Sequence, residues 1–257
     1  MTSVDLNSDL GESFGAFKIG NDEKVLEFIS SANVACGFHA GDHNVIMDTV
    51  RIAHGLGVGI GAHPGFPDLS GFGRREMNMS PEEIFNLVVY QVGAIQGVAN
   101  VFHTKVQHVK PHGALYNLAS KNAEIADAIA KAVYAVNPNL VLFGLAGSEL
   151  VRAGEEVGLK VAQEVFADRT YQPDGSLTSR TEPIAMIHDV DLAVTRVIRM
   201  VKEGKVTAVD GQDISIQADT ICVHGDEPEA LQFVRKLREH LLASSIKIQN
   251  FGVENND

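Results

Sequence analysis

The stretch from Asn33 to Asp42, N-V-A-C-G-F-H-A-G-D, sets a pattern that the rest of the chain repeats. Its apolar start, Val34 to Cys36, is typical of the end of a buried strand, and Gly37 interrupts it. An apolar spacing typical of a helix begins at Val45. A cysteine, a histidine and an aspartate therefore stand together where a strand passes into a helix. In α/β proteins this carboxyl end of the strand is where ligands bind.

The same order of short apolar strand, polar cluster and amphipathic helix recurs along the chain. The predicted strands are Val4–Leu6, Val34–Cys36, Val58–Ala62, Val106–Val109, Leu140–Leu145, Lys160–Phe166 and Thr220–Val223. The predicted helices are Asp22–Ile29, Asp42–Leu56, Ser80–Phe102, Ala123–Ala135, Val190–Val201 and Pro228–Leu242, with Ser148 capping one more. We also predict an extra hairpin over Val206–Ile216 and a polar turn over Asn7–Glu12.

Strand and helix alternate seven times, which predicts a parallel sheet with helical crossovers. We expect a single distorted (β/α) barrel of about seven parallel strands, one α/β domain spanning residues 1–257. Polar clusters follow nearly every strand, as expected when all carboxyl ends face one central site. In an open doubly wound sheet, only the strands at the switch point would need such clusters.

The composition excludes several classes of protein. The chain has 257 residues, 45% hydrophobic and 21% charged, with a net charge of -12 and no long basic run, which argues against nucleic-acid binding. Cys36 and Cys222 form no CxxC pattern, which argues against zinc-thiolate clusters and disulfide frameworks. No uninterrupted apolar run reaches the ~18 residues of a membrane span, and Met1 leads into a strand pattern rather than a signal peptide. We therefore expect a cytoplasmic protein without nucleic-acid or membrane partners.

Ionisable side chains, from Asp5 to Asp226, follow the predicted strands, and in a barrel they would converge on one cavity. Crowded charges in such a cavity shift one another's pKa values, which is how enzymes obtain acids and bases at neutral pH. We interpret four residues as catalytic: Asp9, His39, His63 and His112. The residues interpreted as substrate-binding are Asn7, Cys36, Lys110, Glu164, Asp168, Arg169, His224 and Asp226.

Each of these residues also has a structural interpretation. A single histidine after a strand is more often structural than catalytic. Cys36 can be a small core residue rather than a nucleophile, and Cys222 is interpreted as structural. Asp42 can cap its helix, and Glu164 can be a paired structural charge. The functional interpretation rests on the joint occurrence of histidines beyond four different strands, namely His39, His63, His112 and His224.

Two chemistries fit this set of residues. One is a metal hydrolase whose histidine and aspartate ligands hold a divalent ion that activates water. The other is metal-free acid/base hydrolysis, in which Lys110 and Arg169 bind an anion or stabilise developing negative charge. We assign no metal ligand, because the chain has neither H-E-x-x-H nor H-x-H. It also has no G-x-x-x-x-G-K-[ST] phosphate loop.

Taken together, the motifs resemble those of the LamB/YcsF family, to which one component of bacterial ATP-dependent 5-oxoprolinase, its A subunit, belongs. The matching stretches, in order, are D-L-N-S-D-L-G-E-S-F-G (Asp5 to Gly15), N-V-A-C-G-F-H-A-G-D (Asn33 to Asp42), G-A-H-P-G-F-P-D with G-F-G-R-R (Gly61 to Arg75), V-K-P-H-G-A-L-Y-N (Val109 to Asn117), E-V-F-A-D-R-x-Y (Glu164 to Tyr171) and C-V-H-G-D (Cys222 to Asp226). They span almost the whole chain, and none is broken.

The resemblance implies a distorted (β/α) barrel similar to the glycoside hydrolase/deacetylase group. It implies opening of the lactam of 5-oxo-L-proline to L-glutamate, coupled to hydrolysis of ATP, which is bound here or on a partner. It also implies two partner chains, the B and C subunits of 5-oxoprolinase.

The spacing of the residues then suggests roles for them in lactam opening. We expect Asp9 or His112 to act as general base for water, and Lys110 and Arg169 to bind the substrate carboxylate or a phosphate. The imidazoles expected to orient the ring or protonate the leaving nitrogen are His39, His63 and His224. Two alternatives stay open. One is a metal-dependent deacetylase or hydrolase, whose ligands would be Asp9, His63 and His112; the other is a non-catalytic lactam- or sugar-binding subunit.

Overall fold

The structure is a computed structural model and describes residues 2–223 and 230–252. In this part of the chain the strands are β1 (Ser3–Leu10), β2 (Ser31–Ala35), β3 (Gly59–His63), β4 (His108–Val109), β5 (Val141–Leu145), β6 (Lys160–Phe166), β7 (Lys205–Thr207), β8 (Asp213–Ser215), β9 (Thr220–Cys222) and β10 (Lys247–Ile248). The helices are α1 (Asp22–Leu26), α2 (His43–Gly55), α3 (Pro81–Val101), α4 (Gly113–Ala119), α5 (Ala123–Val136), α6 (Glu149–Glu156), α7 (Val190–Glu203) and α8 (Ala230–Ala243).

Seven parallel strands form a closed barrel in the order β1-β2-β3-β4-β5-β6-β9. β9 closes it, because its residues pair with β6 on one side and with β1 on the other, where Asp5 lies opposite Thr220 and Asn7 opposite Cys222. β10 adds to the beginning of β1 in parallel. The antiparallel pair β7–β8 is the predicted hairpin. The predicted barrel is therefore confirmed.

Helix starts follow the local capping chemistry. Asp42 accepts hydrogen bonds from the backbone N–H groups of Asn44 and Val45, so its structural interpretation as a cap is confirmed. Ser80 and Glu83 form the capping box of α3, as the sequence predicts. α4 is a short helix that the prediction lacks; it begins directly after His112. A helix of one or two turns carries too little apolar periodicity to be recognised from sequence.

α3 is long and apolar enough, by length and composition alone, to cross a membrane. In the structure it packs against α5 and β3. Its buried residues include Ile84, Val88, Val92 and Ile95. Core packing thus accounts for the apolar character of this helix.

β1 shows how the barrel interior is built. Alternate residues of a strand point to opposite faces, and in β1 Asp5, Asn7 and Asp9 point inward, while Val4 and Leu6 belong to the apolar core outside the barrel wall. The strand extends to Leu10, so the predicted turn over Asn7–Glu12 is wrong for its first four residues. Polar residues at alternate positions mimic a turn in the sequence, but here they pair with one another inside the barrel.

The inward polar side chains bond in layers. Asp5 accepts hydrogen bonds from the hydroxyl groups of Ser30, Ser31 and Thr220. One layer nearer the carboxyl end, Asn33 Nδ2 lies 2.7 Å from Asn7 Oδ1. Asp5 therefore lies deep in the barrel rather than in the cavity that we expected it to share, because it is five residues before the end of its strand.

Candidate active site

A cavity of about 880 Å³ opens at the carboxyl ends of the strands. Five of the residues predicted to form the site line it: Asp9, His63, Lys110, His112 and Arg169. They come from four different strands or the segments that follow them, as expected where barrel strands end. His224 and Asp226 lie outside the described residues, so their predicted roles stay predictions.

Lys110, at the end of β4, is a buried ammonium placed between two carboxylates. Its Nζ lies 3.0 Å from Asp9 Oδ1 and 2.8 Å from Glu164 Oε1. It also lies 3.3 Å from Asn7 Oδ1 and 3.0 Å from Cys222 Sγ. Burial by itself would lower the pKa of Lys110, but Asp9, Cys222 and Glu164 outweigh it and raise that pKa well above its usual value. Lys110 is therefore charged, and its hydrogen-bonding capacity is directed at the protein.

Glu164 and Asn7, both predicted to bind substrate, lie beneath Lys110 and do not line the cavity. Asn7 Nδ2 donates to Glu164 Oε1 over 3.0 Å. The hydroxyl of Tyr116, on α4, donates to Glu164 Oε2 over 2.6 Å. Burial, and then the Glu164 carboxylate, raises the pKa of Tyr116 well above its usual value, so the phenol stays protonated. The structural interpretation of Glu164 as a paired charge accounts for all these contacts.

His63 and His112 face each other at the edge of this network, with 2.9 Å between His63 Nε2 and His112 Nδ1. The other nitrogen of each ring meets a backbone carbonyl: His63 Nδ1 lies 2.6 Å from the oxygen of Lys110, and His112 Nε2 lies 2.8 Å from that of Phe72. A carbonyl oxygen only accepts, so these outer nitrogens carry the protons. In the neutral rings the two facing nitrogens are then both lone pairs.

Glu12 and His39 complete the group on the far side of His112. Glu12 Oε1 lies 3.2 Å from His39 Nε2 and 3.6 Å from His112 Nδ1. The rings of His39 and His112 are stacked, with centroids 3.7 Å apart and planes inclined by 2°. Burial, and then the neighbouring histidines, holds the pKa of both His39 and His112 well below the usual value. Both imidazoles are therefore neutral at pH 7.

The loop after β3 covers the histidines. Asp68 caps the short 3-10 turn Leu69–Gly71 and pairs with Arg75, which fixes the loop in place. Phe72 follows in the left-handed region, with φ of 54°, and its ring packs edge-on against His39 and His112. The guanidinium of Arg74 lies 4.8 Å from the centroid of the Phe72 ring. The loop thus excludes water from one side of the imidazoles.

Arg169 lines the cavity while its guanidinium holds the segment that follows β6. Its Nη2 donates to the backbone oxygen of Thr178 over 2.5 Å, and its Nε to that of Ala185 over 3.3 Å. Burial, and then Arg180, lowers the pKa of Arg169 to about 10. Asp168 is buried and is not among the lining residues.

The other two predicted residues outside the lining differ in position. Cys36 is buried, its Sγ lies 3.5 Å from the Val34 oxygen, and burial raises the pKa of its thiol, so it contacts the core rather than the cavity. His39 lies behind His112 and is fully buried. Cys222, interpreted as structural, contacts the Lys110 ammonium.

Four residues of the site are missing from the predicted set. They are Glu12, Phe72, Arg74 and Tyr116, all of which line the cavity. Glu12 and Tyr116 stand inside the motifs D-L-N-S-D-L-G-E and K-P-H-G-A-L-Y, so motif membership was a usable signal for them. Phe72 and Arg74 likewise stand inside the motif G-F-G-R-R, but the contacts of Phe72 with the histidines depend on the path of the loop and are not visible in the motif.

The sequence of this chain is similar to those of known proteins over almost its whole length. The LamB/YcsF family model matches residues 4–256. The A subunit of 5-oxoprolinase from Oceanobacillus iheyensis is 65% identical over 246 residues, 96% of each chain. The protein of the same name from Bacillus subtilis is 59% identical over 248 residues, again 96% of each chain.

Two solved structures are similar to this fold. A lactam utilization protein from Thermus thermophilus is similar with a TM-score of 0.92 and 46% identity, over 97% of this chain and 100% of that one. A family 4 carbohydrate esterase from Streptomyces lividans is similar with a TM-score of 0.51 and 13% identity, over 96% and 91% of the two chains, which shows a shared fold alone. The expected single (β/α)-barrel fold is confirmed.

Proposed function

Because the chain belongs to the LamB/YcsF family, we propose that it is the A subunit of an ATP-dependent 5-oxoprolinase, which hydrolyses the lactam amide of 5-oxo-L-proline to L-glutamate. Relatives at 55–65% identity are named as this component of 5-oxoprolinase and are covered over nearly their whole length. The similar structure from Thermus thermophilus is named a lactam utilization protein.

One observation carries the proposal: Asp9, Lys110, His63 and His112 meet on the floor of one cavity. Opening a lactam requires a base for the attacking water, a proton for the leaving nitrogen and compensation of the charge that develops on the carbonyl oxygen. Carboxylate, imidazole and ammonium groups supply these three functions. A pocket that only bound a lactam would need few polar groups.

Asp9 is the better placed of the two predicted bases. Its Oδ2 lies 3.3 Å from His63 Nε2, and its side chain keeps 12% exposure toward the cavity. His112 has both ring nitrogens within contact of other protein atoms. Water gives its oxygen to the amide carbon and a proton to the base, the C–N bond breaks, and the ring nitrogen takes up the proton, so that lactam and water yield the open amino acid.

We assign binding of the substrate carboxylate to the arginines that line the cavity. Lys110 is already surrounded by Asp9, Glu164, Asn7 and Cys222, so we assign it the role of holding Asp9 ionised rather than gripping the substrate. Arg169 was the other predicted anion ligand and lines the cavity. Two further arginines of the wall are Arg74 and Arg180. A guanidinium can bind a carboxylate bidentately.

ATP coupling and the B and C subunits as partners belong to the same proposal. A lactam is a stable amide. Transfer of the γ-phosphoryl group of ATP to its oxygen, with release of ADP, would make its carbon a better electrophile, and the phosphoryl group would then leave as inorganic phosphate. The chain has no Walker-type phosphate loop, so ATP is bound here without that motif or on a partner chain. The relatives are named as one lettered component of 5-oxoprolinase, which supports a complex of several chains. We place the reaction in the cytoplasm, where ATP and a reducing environment for the two free cysteines are found.

The test is ATP-dependent release of glutamate from 5-oxoproline, measured with the chain alone and with the B and C subunits. We expect turnover in the complete mixture, loss of most turnover in Asp9→Asn and His112→Ala, and normal turnover in Asp48→Asn, whose side chain is 66% exposed. Near-normal turnover in both site variants would remove the mechanism. Binding of 5-oxoproline without turnover in the complete mixture would show a binding protein instead.

A further inference from the structure

We propose that Glu12, His63 and His112, with Asp9 at the edge, bind one divalent transition-metal ion of the zinc class. The ligand atoms would be His63 Nε2, His112 Nδ1 and a carboxylate oxygen of Glu12. Two imidazoles and one carboxylate are a recurring ligand set for zinc and neighbouring metals. That the bound ion would activate water for the lactam rests on the proposed function; the binding itself does not.

The protonation pattern of the two rings is the first argument. Backbone carbonyls fix the proton of His63 on Nδ1 and that of His112 on Nε2. The nitrogens that face each other, 2.9 Å apart, are then both lone pairs in the neutral rings. Two lone pairs at this distance repel unless a positive centre lies beside them. A metal ion that accepts both pairs resolves this conflict.

The distances between the ligand atoms are the second argument. They are 2.9 Å from His63 Nε2 to His112 Nδ1, 3.6 Å from His112 Nδ1 to Glu12 Oε1 and 3.3 Å from His63 Nε2 to Asp9 Oδ2. An ion with bonds of about 2.1 Å places tetrahedral ligands about 3.4 Å apart and adjacent octahedral ligands about 3.0 Å apart. The ligand atoms of Glu12, His39, His63 and His112 all lie within 4.8 Å of one another.

The groups behind the ligands are the third argument. Metal-binding histidines usually donate their other N–H to a carbonyl or carboxylate, which fixes ring orientation. His63 and His112 do so through the carbonyls of Lys110 and Phe72. His39 Nε2 lies 3.2 Å from Glu12 Oε1, where its N–H can hold that carboxylate in place. His39 is thus a positioning residue in this arrangement.

The balance of charge is the fourth argument. The carboxylates of Asp9 and Glu164 contact the ammonium of Lys110, whereas that of Glu12 lies beside His39 and His112. All four side chains have 12% exposure or less. Arg74, which also faces the histidines, is an exposed residue at the rim. A divalent ion beside Glu12 and Asp9 would place a positive charge next to both carboxylates.

A proton shared between His63 and His112 would also account for their short contact, and the experiment must separate the two explanations. The full chain, treated with a chelator and dialysed, is titrated with Zn²⁺ alone by calorimetry, with Mg²⁺ as the comparison ion. The same titration is repeated on Glu12→Gln, His63→Ala, His112→Ala and His39→Ala, and on the matched control His54→Ala, whose residue is exposed on α2. Circular dichroism melts establish that each variant is folded.

We expect one Zn²⁺ per chain, little binding of Mg²⁺ because that ion prefers oxygen ligands, and unchanged binding in His54→Ala. Removing a ligand should weaken Zn²⁺ binding by more than about 100-fold, and His39→Ala, which removes an outer partner, by about 10–100-fold. Failure of the wild-type chain to bind Zn²⁺ overturns the inference. So does undiminished binding in the isosteric variant Glu12→Gln, which keeps the shape of the site even if the histidine variants do not fold.

Glutamate release measured on the same samples separates this inference from the proposed function. Lactam hydrolysis by a chain that binds no Zn²⁺ would overturn the metal site and leave the function standing. Stoichiometric Zn²⁺ binding without lactam hydrolysis in the presence of the B and C subunits would do the opposite. Loss of turnover after chelation, restored by Zn²⁺, is the result expected if the bound ion takes part in lactam hydrolysis.

Discussion

Lys110 is the buried cation that pairs with two carboxylates inside the barrel. Its residue is only 2% exposed, yet it carries a charge, because Asp9 and Glu164 stand on either side of it. An ion pair of this kind contributes little net stability compared with apolar packing, but removal of one partner leaves a charge buried without compensation. The arrangement therefore pairs Asp9 with a cation and fixes it where the cavity begins.

Replacement of Lys110 by Met should lower the free energy of unfolding at pH 7 by about 3–5 kcal/mol, because two buried carboxylates lose their cation. The measurement is urea-induced unfolding. In the double variant Lys110→Met/Glu164→Gln we expect part of this loss to be recovered. The control Lys131→Met removes an exposed pair with Asp127 on α5 and should cost less than about 1 kcal/mol. A loss in Lys110→Met no larger than in that control would contradict this account.

Asp5 shows a different use of a buried carboxyl group. It has three hydroxyl donors, Ser30, Ser31 and Thr220, but no cation among its hydrogen-bond partners in the described residues. Burial, only partly offset by these hydrogen bonds, raises its pKa from 3.8 to about 6. The folded protein therefore holds the proton of Asp5 more tightly than the unfolded chain does.

The sign of the pH effect follows directly. The stabilising contribution of protonated Asp5 is complete below pH 3.8 and is lost as the pH rises through about 6. Replacement by Asn removes this dependence. Between pH 4 and pH 7 the free energy of unfolding of the wild type should therefore fall by about 2 kcal/mol relative to that of Asp5→Asn. Urea unfolding at a series of pH values measures this difference. The exposed control Asp48→Asn should change the free energy of unfolding at pH 7 by less than about 0.5 kcal/mol. A profile of Asp5→Asn parallel to that of the wild type would contradict this account.

At the scale of elements, the loop after β3 decides the environment of the imidazoles. Its sequence, rich in glycine and proline, predicts a functional loop without predicting its path. Gly73 passes close to two histidines: a Cβ atom there would lie 2.7 Å from His39 Cβ and 2.8 Å from His112 Cδ2, and φ is +62°. The backbone of the loop is thus in contact with the rings themselves.

Gly73→Ala should impair the site although it removes no functional group. The left-handed φ alone costs about 1 kcal/mol for a residue with a side chain. The control Gly147→Ala has φ of +74° and nothing within 4 Å of its Cβ, so it isolates that cost. We expect a larger loss of unfolding free energy in Gly73→Ala than in Gly147→Ala, together with weakened Zn²⁺ binding and lactam turnover in Gly73→Ala only. Equal behaviour of the two variants would mean that the loop yields without moving His39 or His112.

At the scale of the whole molecule, the two ends of the barrel have separate tasks. The carboxyl ends of the strands carry the site, whereas the amino ends are closed by the last described segment of the chain. There Phe251 packs on Val141, Phe143 and Ala162, and Asn250 Nδ2 lies 3.0 Å from Ser31 Oγ at the start of β2. Barrel enzymes commonly divide stability and activity between their ends in this way.

Phe251→Ala should therefore lower stability and leave the site unchanged. Phe251 is partly buried, so we expect a loss of about 1–3 kcal/mol in the free energy of unfolding, below the cost for a fully buried phenylalanine. Zn²⁺ affinity and lactam turnover at 25 °C should equal those of the wild type. The control Phe17→Ala alters a residue that is 75% exposed and should change stability by less than about 0.5 kcal/mol. A clear loss of Zn²⁺ affinity in Phe251→Ala would show that the two ends are coupled.

Local patterns in the chain were enough to predict most elements of the barrel. The βα alternation, the caps at Asp42 and Ser80 and the strand Lys160–Phe166 are correct because they depend on neighbours a few residues away. β1 was predicted too short, because its polar residues face inward and pair across the barrel. That pairing joins residues far apart in the chain, such as Asn7 and Glu164. It therefore cannot be predicted from the pattern of neighbouring residues in the sequence.

The types of side chain available to the site, and the strand ends from which they emerge, can be read from the linear order of residues. Which of them meet depends on closure of the barrel: it brings Cys222 to Lys110 and Glu12 to His112, and it leaves Asp5 and Cys36 away from the cavity. Folding also fixes the proton positions on His63 and His112, because backbone carbonyls from other segments face one nitrogen of each ring. Contacts, burial and protonation are properties of residues brought together in space, and a chain read one neighbour at a time does not contain them.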